Sequence, residues 1–588
     1  MRTRGALAVI LTLTAIASAT AATPALAAPI AWRGIVEGAY RTPWDHAARM
    51  RVLAWMPDHG LNTYVHAPKD DLYARMLWRE PYPARDLVRF AAEIKVARAG
   101  HVRWIPNLSP GIPELPTPLP EGVSPSTPLC FSCADDVAAA AGKFAPFLDS
   151  GLRTVMISFD DVVQSFGRAE DTAAFGSAPS AYGAATAAFL NNVYDVLQAR
   201  WPGTELLMVP ADYSGTRDTP YLQGLRAGLR PAIHVVWTGT RVRSTQWQPA
   251  DAQAYARLVG RKPIVWDNWT NNDFALTAEA EATARIFLGP YRRPADVARS
   301  VEGWLFNPAT EADLNMLPLA TAGDWLRNPW RYNPRRSWLR AIDAVAGPDK
   351  RLVQPLRAWA EASYSSRLSR IEGPTFVQLT KQFLGAYDGG PYWTRALAAL
   401  RGELNLARRA RTSLERLPNR AFFNQALPFL DATATNATAG VVGATLLEAE
   451  RPRLSAARTI HGGILVTAEP PSPGRAAMLR TLLARWQANL LSGDRLVYGW
   501  RVLGNMPIPS YGARNVLDLF LAEVQRRDAA WQALADQATG PMSLTIGGRP
   551  GPAPVGGTVG LSGANCNQLV VVTDSAGGTS SVRLPPCR

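Results

Sequence analysis

Between Ala31 and Asn307, short and mostly apolar runs alternate with stretches in which apolar residues recur at helical spacing. The runs are Trp32–Val36, Leu61–His66, Val102–Asn107, Arg153–Phe159, Glu205–Val209, Ile233–Trp237, Pro263–Trp266 and Glu302–Phe306. Runs this short, without strict alternation, predict strands buried on both faces. Asp45–His59, Tyr82–Ala99, Ala134–Asp149 and Tyr182–Arg200 carry the helical spacing between them. Eight strands alternating with helices predict an α/β fold, a (β/α)8 barrel. An open doubly wound sheet is the alternative; the count of eight and the lack of a glycine-rich dinucleotide loop argue against it.

Beyond about Ala320 the pattern changes. Arg335–Gly347, Val353–Ser365, Thr375–Tyr387, Thr394–Leu417 and Ala421–Ala432 read as helices set off by proline or glycine, and Thr438–Leu447, Gly474–Asn489 and Ala513–Gln537 continue the series. From Pro541 glycine, proline and β-branched residues dominate, in runs such as Leu544–Ile546 and Leu569–Thr573. The reading divides the chain into a leader over residues 1–28, a barrel over 29–322, an α-helical domain over 323–540 and a small C-terminal β module over 541–588.

The leader is a prediction of its own. Arg2 and Arg4 precede an apolar stretch from Ala6 to Ala17, and Ala25-Leu26-Ala27 offers a small-x-small cleavage site. The stretch is short and ends in small residues and Pro24, which favours export with cleavage over a membrane anchor; no later stretch is apolar for long enough to span a bilayer. The four cysteines suit that compartment. Cys130 and Cys133 form a Cys-Phe-Ser-Cys motif, and Cys566 and Cys587 bracket the end of the chain. Redox chemistry and zinc are weakly supported, since there is no second such motif and no histidine pair at ligand spacing, so two structural disulfides are expected. No metal and no cofactor are expected. The net charge of +14 comes from arginines scattered along the chain rather than from basic runs, so it does not predict a nucleic-acid partner.

In a (β/α)8 barrel, chemistry gathers where the strands end. The eight runs are followed in turn by Glu37-Gly38-Ala39-Tyr40, by Lys69-Asp70-Asp71, by Ser109-Pro110-Gly111, by Asp160-Asp161, by Asp212-Tyr213, by Thr238-Gly239, by Asn268 to Asp273, and by Asn307-Pro308. Taken singly, Asp160 reads as a helix cap and Lys69 as one half of a surface ion pair. Together they put hydrogen-bonding groups on one rim. Asp160 and Asp161 carry the most chemistry. Two adjacent ionised carboxylates repel, so one should have a raised pKa unless a cation intervenes, and a raised pKa suits a general acid. Metal binding and helix capping are the other readings of the pair.

The segment Gly34-Ile35-Val36-Glu37-Gly38-Ala39-Tyr40-Arg41-Thr42-Pro43-Trp44 resembles the opening motif of glycoside hydrolase family 84. Leu61-Asn62-Thr63-Tyr64, Ala67-Pro68-Lys69-Asp70-Asp71, Trp78-Arg79-Glu80-Pro81-Tyr82, Ser109-Pro110-Gly111, Phe159-Asp160-Asp161, Trp237-Thr238-Gly239 and Phe306-Asn307-Pro308 follow in that family's order, over roughly half the chain. The resemblance implies a β-N-acetylglucosaminidase acting on a GlcNAc-containing glycan or glycoconjugate. It implies a retaining mechanism in which the sugar's own acetamido carbonyl attacks and an oxazoline forms, one of the exceptions to the two-carboxylate scheme. Asp160 would then hold the acetamido N–H, and Asp161 would act as general acid and base. The resemblance assigns Lys69, Asp273 and Asn307 to the sugar hydroxyls, and Tyr213 and Asn268 to the acetamido group and the intermediate. It makes Trp266 a wall of the acetamido pocket with Thr238 and Val242 nearby, sets Tyr40 in the lining, and reserves Gly38 for close backbone approach.

Ala39, Arg41 and the stretch Trp269-Thr270-Asn271-Asn272 depart from the family's usual residues, which leaves the aglycone open. Arg41 is expected to narrow the mouth or favour an acidic aglycone, and the small α/β domain that often precedes the family's barrel is expected to be missing. An endo-acting hyaluronan or cell-wall hydrolase and a non-catalytic glycan-binding protein are the competing functions. The sequence leaves the oligomeric state open.

Overall fold

The computed structural model describes residues 30–40, 43–111, 124, 126–273, 286–365, 368, 371–388, 392–458, 464–497, 516–535, 540–552, 558–562 and 565–587. The leader read from the sequence and Arg41 lie outside them. The eight runs form strands β1 (Trp32–Glu37), β2 (Thr63–His66), β3 (Arg103–Leu108), β4 (Thr154–Ser158), β5 (Glu205–Val209), β6 (His234–Trp237), β7 (Ile264–Asp267) and β8 (Gly303–Phe306), all parallel in a closed barrel. Closure comes from β1 pairing with β8, with Trp32 opposite Gly303 and Ile35 opposite Phe306.

Strand alternation sorts the side chains into two cores. Trp32, Val36, Val65, Ile105, Met156, Leu207, Val209, Val236, Ile264, Trp266 and Leu305 fill the barrel interior. Their neighbours, including Ile35, Tyr64, Trp104, Ile157, Trp237, Val265, Trp304 and Phe306, pack under the surrounding helices. Both faces are dry, which is why the strands read as near-continuous apolar runs. Two of the barrel helices begin at a side-chain cap: Asp45 accepts from the Ala48 N–H at 2.7 Å, and Thr219 from the Leu222 N–H at 3.2 Å.

Past the barrel, helices Pro334–Ala346, Val353–Ala362, Pro374–Tyr387, Trp393–Ser413, Arg420–Ala449, Pro473–Val497 and Val516–Gln532 build two further cores. Two findings differ from the sequence reading. The helices expected at Ala421–Ala432 and Thr438–Leu447 are one 30-residue helix, Arg420–Ala449. Residues 433–437 between them stay helical, and glycines just beyond form a packing seam. Thr435 and Thr438 donate back to Asp431 and Ala434 carbonyls. Gly440 lets Leu404 approach to where its own Cβ would stand 2.9 Å from Leu404 Cδ2.

The second difference is a hairpin inside the stretch read as helical, β9 (Arg453–Arg458) and β10 (Ile464–Glu469). Strand β10 pairs with β13 (Thr558–Leu561) from the tail, so a single sheet spans the boundary drawn at 541. Residues β11 (Ser543–Ile546), β12 (Arg549–Pro550), β14 (Leu569–Thr573) and β15 (Thr579–Arg583) make a second, four-stranded sheet. Ile464, Val466, Leu544, Val570 and Leu584 share its core. Both expected disulfides are present, Cys130–Cys133 and Cys566–Cys587.

Candidate active site

The barrel places Asp160 and Asp161 immediately after β4. Ser158 points into the barrel and Phe159 outward into the helix layer, so alternation turns Asp160 inward. The same rule would send Asp161 to the outside. Its φ of +64° breaks the alternation, in the left-handed region that few non-glycine residues occupy. Both carboxylates therefore serve one pocket, Asp160 buried in it and Asp161 exposed at its mouth.

Asp160 is held from one side only. Lys69, also buried, donates its Nζ to Asp160 Oδ2. Asp160 Oδ1 is buried and has no hydrogen-bond partner among the described residues. A buried carboxylate oxygen left unpartnered is costly unless a visitor supplies the donor. Lys69 also lies 5.3 Å from the centre of the Trp266 ring, and this cation–π contact fixes its ammonium against the pocket wall.

Asp161 is held from both sides. Its Oδ2 accepts from the Tyr40 hydroxyl at 2.6 Å and its Oδ1 from the Tyr213 hydroxyl at 2.8 Å. Packing around the carboxyl works to raise its pKa. The Lys69 charge, the two phenol donors and the Arg75 charge together outweigh it and hold the Asp161 carboxyl below its ordinary value. The expectation that the acid of the pair would be raised therefore fails for the free site, because cations intervene. Burial and the Asp161 charge push both Tyr40 and Tyr213 up, so both remain protonated donors.

The wall opposite is a closed amide network. Asn268 donates its Nδ2 to the Val242 carbonyl at 2.7 Å, so its Oδ1 is an acceptor, filled by Trp266 Nε1 at 2.9 Å and Asn307 Nδ2 at 2.8 Å. Asn307 Oδ1 in turn accepts from the Gly38 N–H at 3.1 Å. Gly38 is needed here because a Cβ would stand 2.3 Å from the Trp266 ring. Asp273 accepts from the Tyr40 N–H at 2.8 Å and from Arg243 at 3.0 Å. Thr238 is buried and bonds the Tyr213 and Arg241 carbonyls, while the Val242 side chain is exposed at the rim.

All twelve residues singled out from the sequence thus gather at the C-terminal end of the barrel. Their free hydrogen-bonding capacity is unequal. Asp160 presents an open oxygen, whereas Asn268 and Asn307 are committed to each other and to the wall. Two further residues at the site escaped the sequence reading, Arg243 and Arg75. Arg243 follows the sixth strand by six residues and lies in the rim window that the strand-end rule covers, so the rule itself could have found it. Arg75 gave no such signal, because an arginine inside Leu72-Tyr73-Ala74-Arg75-Met76 looks like an ordinary surface residue until its burial is known.

A family model described as beta-N-acetylglucosaminidase matches residues 33–360. The chain is 29% identical over 302 residues to "Protein O-GlcNAcase" of Rattus norvegicus and equally to that of Mus musculus, matching 50% of this chain and 30% of each relative. The chain thus spans less than a third of the length of these curated relatives. Among solved structures, a mutant O-GlcNAc hydrolase from Thermobaculum terrenum superposes with a TM-score of 0.67 at 24% identity, covering 86% of this chain and 97% of that one. The structure of CpGH84B superposes with a TM-score of 0.65 at 22% identity, covering 84% and 77%. At these identities the likeness of the two structures is one of fold.

Proposed function

The chain belongs to the β-N-acetylglucosaminidase family, and from that premise we propose that it is a retaining, exo-acting hydrolase of terminal β-linked GlcNAc that works by substrate assistance. The observation that carries this reading is the buried, unpartnered Oδ1 of Asp160 beside Asp161. It asks for a hydrogen-bond donor on the substrate, and the acetamido N–H of GlcNAc is one.

In the first step the acetamido carbonyl oxygen attacks the anomeric carbon while the bond to the aglycone oxygen breaks. Asp161, protonated in the substrate complex, gives its proton to that leaving oxygen. Asp160, paired with the Lys69 ammonium, accepts from the N–H as positive charge develops on the forming oxazoline ring. In the second step water attacks the anomeric carbon from the face the aglycone left and passes a proton to Asp161, and the ring C–O bond opens. Two inversions return the β configuration. Asp161 is ionised in the free site, so sugar binding must help it take up its proton. A bound aglycone displaces water from the mouth and draws on the phenols of Tyr40 and Tyr213, which removes donors that favour the anion.

The relatives named as O-GlcNAcases make a glycoprotein one substrate class for this chain. Export from the cytoplasm is part of the same proposal. It is supported by the leader-like first residues and by the two disulfides, which suit an oxidising compartment. No helix among the described residues is long and apolar enough to cross a membrane.

The test compares an aryl β-N-acetylglucosaminide with the matching aryl β-glucoside, in which a hydroxyl replaces the acetamido group. The GlcNAc substrate is expected to turn over at least about a thousandfold faster, since the glucoside lacks the nucleophile as well as the group that Asp160 binds. Comparable rates on both would rule out substrate assistance.

A further inference from the structure

We propose that Arg75 is a positioning residue for the hydrolytic reaction: its buried charge, set behind Tyr40, aims that phenol at Asp161 and balances the second carboxylate of the pair. This inference rests on the hydrolase reading for its consequence but on geometry for its ground. Arg75 is only 2% exposed, an unusual burial for an arginine. Among the described residues no carboxylate oxygen lies within ion-pair distance of it. Its Nη1 donates to the Lys69 carbonyl at 3.2 Å, and its Nε is buried without a partner. The guanidinium carbon lies 5.5 Å from the centre of the Tyr40 ring, on whose far end the hydroxyl meets Asp161. One side chain thus holds both the main chain that carries Lys69 and the ring that carries the donor to Asp161.

Charge balance says why the arginine is there. The titratable or charged groups facing Asp161 are Lys69 and Arg75 from the loop after β2, Tyr40 from the loop after β1, Asp160 at the end of β4, and Tyr213 from the loop after β5. Lys69 is bound to Asp160, so its charge is largely matched. Arg75 is the remaining cation, and with it the four charged side chains sum to zero when both carboxylates are ionised. That electroneutrality keeps the free site from storing the repulsion that two adjacent carboxylates otherwise create. The cost is that Asp161 must acquire its proton on the way to reaction. Arg75 therefore sets where on the pH axis the acid is lost.

The experiment uses Arg75→Gln, which keeps a donor for the Lys69 carbonyl and removes the charge, and Arg75→Lys, which keeps the charge. Asp161 is followed by carboxyl-carbon NMR, with Asp161→Asn identifying its resonance. In parallel, kcat/KM is measured against pH on an alkyl β-N-acetylglucosaminide and on a dinitrophenyl one. The alkyl leaving group needs the acid; the dinitrophenyl group does not. In Arg75→Gln the Asp161 midpoint should rise by about one pH unit. The alkaline limb for the alkyl substrate should move up with it, while the dinitrophenyl profile stays in place. Arg75→Lys should stay near the wild type in both. An unmoved midpoint in folded Arg75→Gln, or an equal rise in Arg75→Lys, would overturn the proposal. If Arg75→Gln does not fold, the wild type decides, because a midpoint at or above the ordinary aspartate value overturns it as well. A wild type that cleaves no β-N-acetylglucosaminide defeats the hydrolase reading separately, since the NMR titration needs no turnover.

Discussion

Two pairs of carboxylates stand at the ends of the barrel strands, and they are treated in opposite ways. Glu37, the last residue of β1, and Asp267, the last residue of β7, point outward into the helix layer. Each is gripped by an arginine: Glu37 by Arg49 through two bonds of 2.8 Å, and Asp267 by Arg293 through two of 3.1 Å. Tyr64 and the Trp44 N–H complete the shell of Glu37, and Tyr291 that of Asp267. Asp160 and Asp161 have no arginine at bonding distance, and one of their oxygens is left open. The difference is one face of a strand. An outward carboxylate has been satisfied by the protein and can only hold it together, whereas an inward one has been left for something that is not protein.

The largest expected effect tests the inward pair. Asp161→Asn removes the proton carrier while keeping its shape, so kcat/KM on an alkyl glycoside should fall by about 10²- to 10⁴-fold. The melting temperature should change little, because Asp161 is exposed. A large loss of stability with retained activity would invert the comparison.

The outward pair should respond the other way. Arg49→Met leaves Glu37 buried without its ion-pair partner, which typically costs about 3–5 kcal/mol. Urea denaturation would read that loss, while kcat/KM per folded molecule should change less than tenfold. The pH dependence follows from the direction of the shift. Burial works to raise the Glu37 carboxyl, but the Arg49 charge and hydrogen bonds, the His66 charge and Tyr64 hold it below its ordinary value. Its contribution is thus present above the unfolded carboxyl pKa and is lost as pH falls through the folded value. In Arg49→Met that acid-side loss should be blunted.

The last test probes a carboxyl that fits neither group. Glu450 is buried in the helical region with neither oxygen hydrogen-bonded among the described residues; Arg480 approaches its Oε1 only to 3.5 Å, because its bonds go to Asp528. Burial and the neighbouring Asp528 carboxylate push its carboxyl up to about 9, against the opposing pull of Arg480. Here the open oxygens are answered by a proton rather than by a ligand. The folded state binds that proton more tightly than the unfolded one, so stability should decline as pH rises from the ordinary carboxyl pKa toward about 9. Glu450→Gln should gain progressively on the wild type over that window in thermal melts. A parallel pH dependence of the two proteins would mean that Glu450 is ionised at neutral pH.

Much of this was legible along the chain. The eight apolar runs are the eight strands to within two residues at either end, because strands buried on both faces are mostly apolar and carry their few polar residues near the ends. Read with the rule that barrel chemistry sits at strand ends, and with the family's motifs, the same pattern led to the residues that gather around Asp160. The helical region was less transparent. Its long helix hides a seam of glycines, since the sequence does not show that Leu404 and Val524 need that space. The hairpin β9–β10 was missed because the strand that completes its sheet, β13, lies about ninety residues further on.

What the sequence alone determined is the order of layers and the list of polar groups on one rim, both of which follow from local periodicity. What only the tertiary structure decided is which of those groups are already spent. Asp161 faces the pocket through a left-handed backbone turn that no spacing announces. Asn307 donates to an Asn268 oxygen already shared with Trp266, and Arg75 and Lys69 neutralise a carboxylate pair that looks repulsive on paper. These are sums over neighbours brought together from distant parts of the chain, and the free energy of a charge depends on all of them at once.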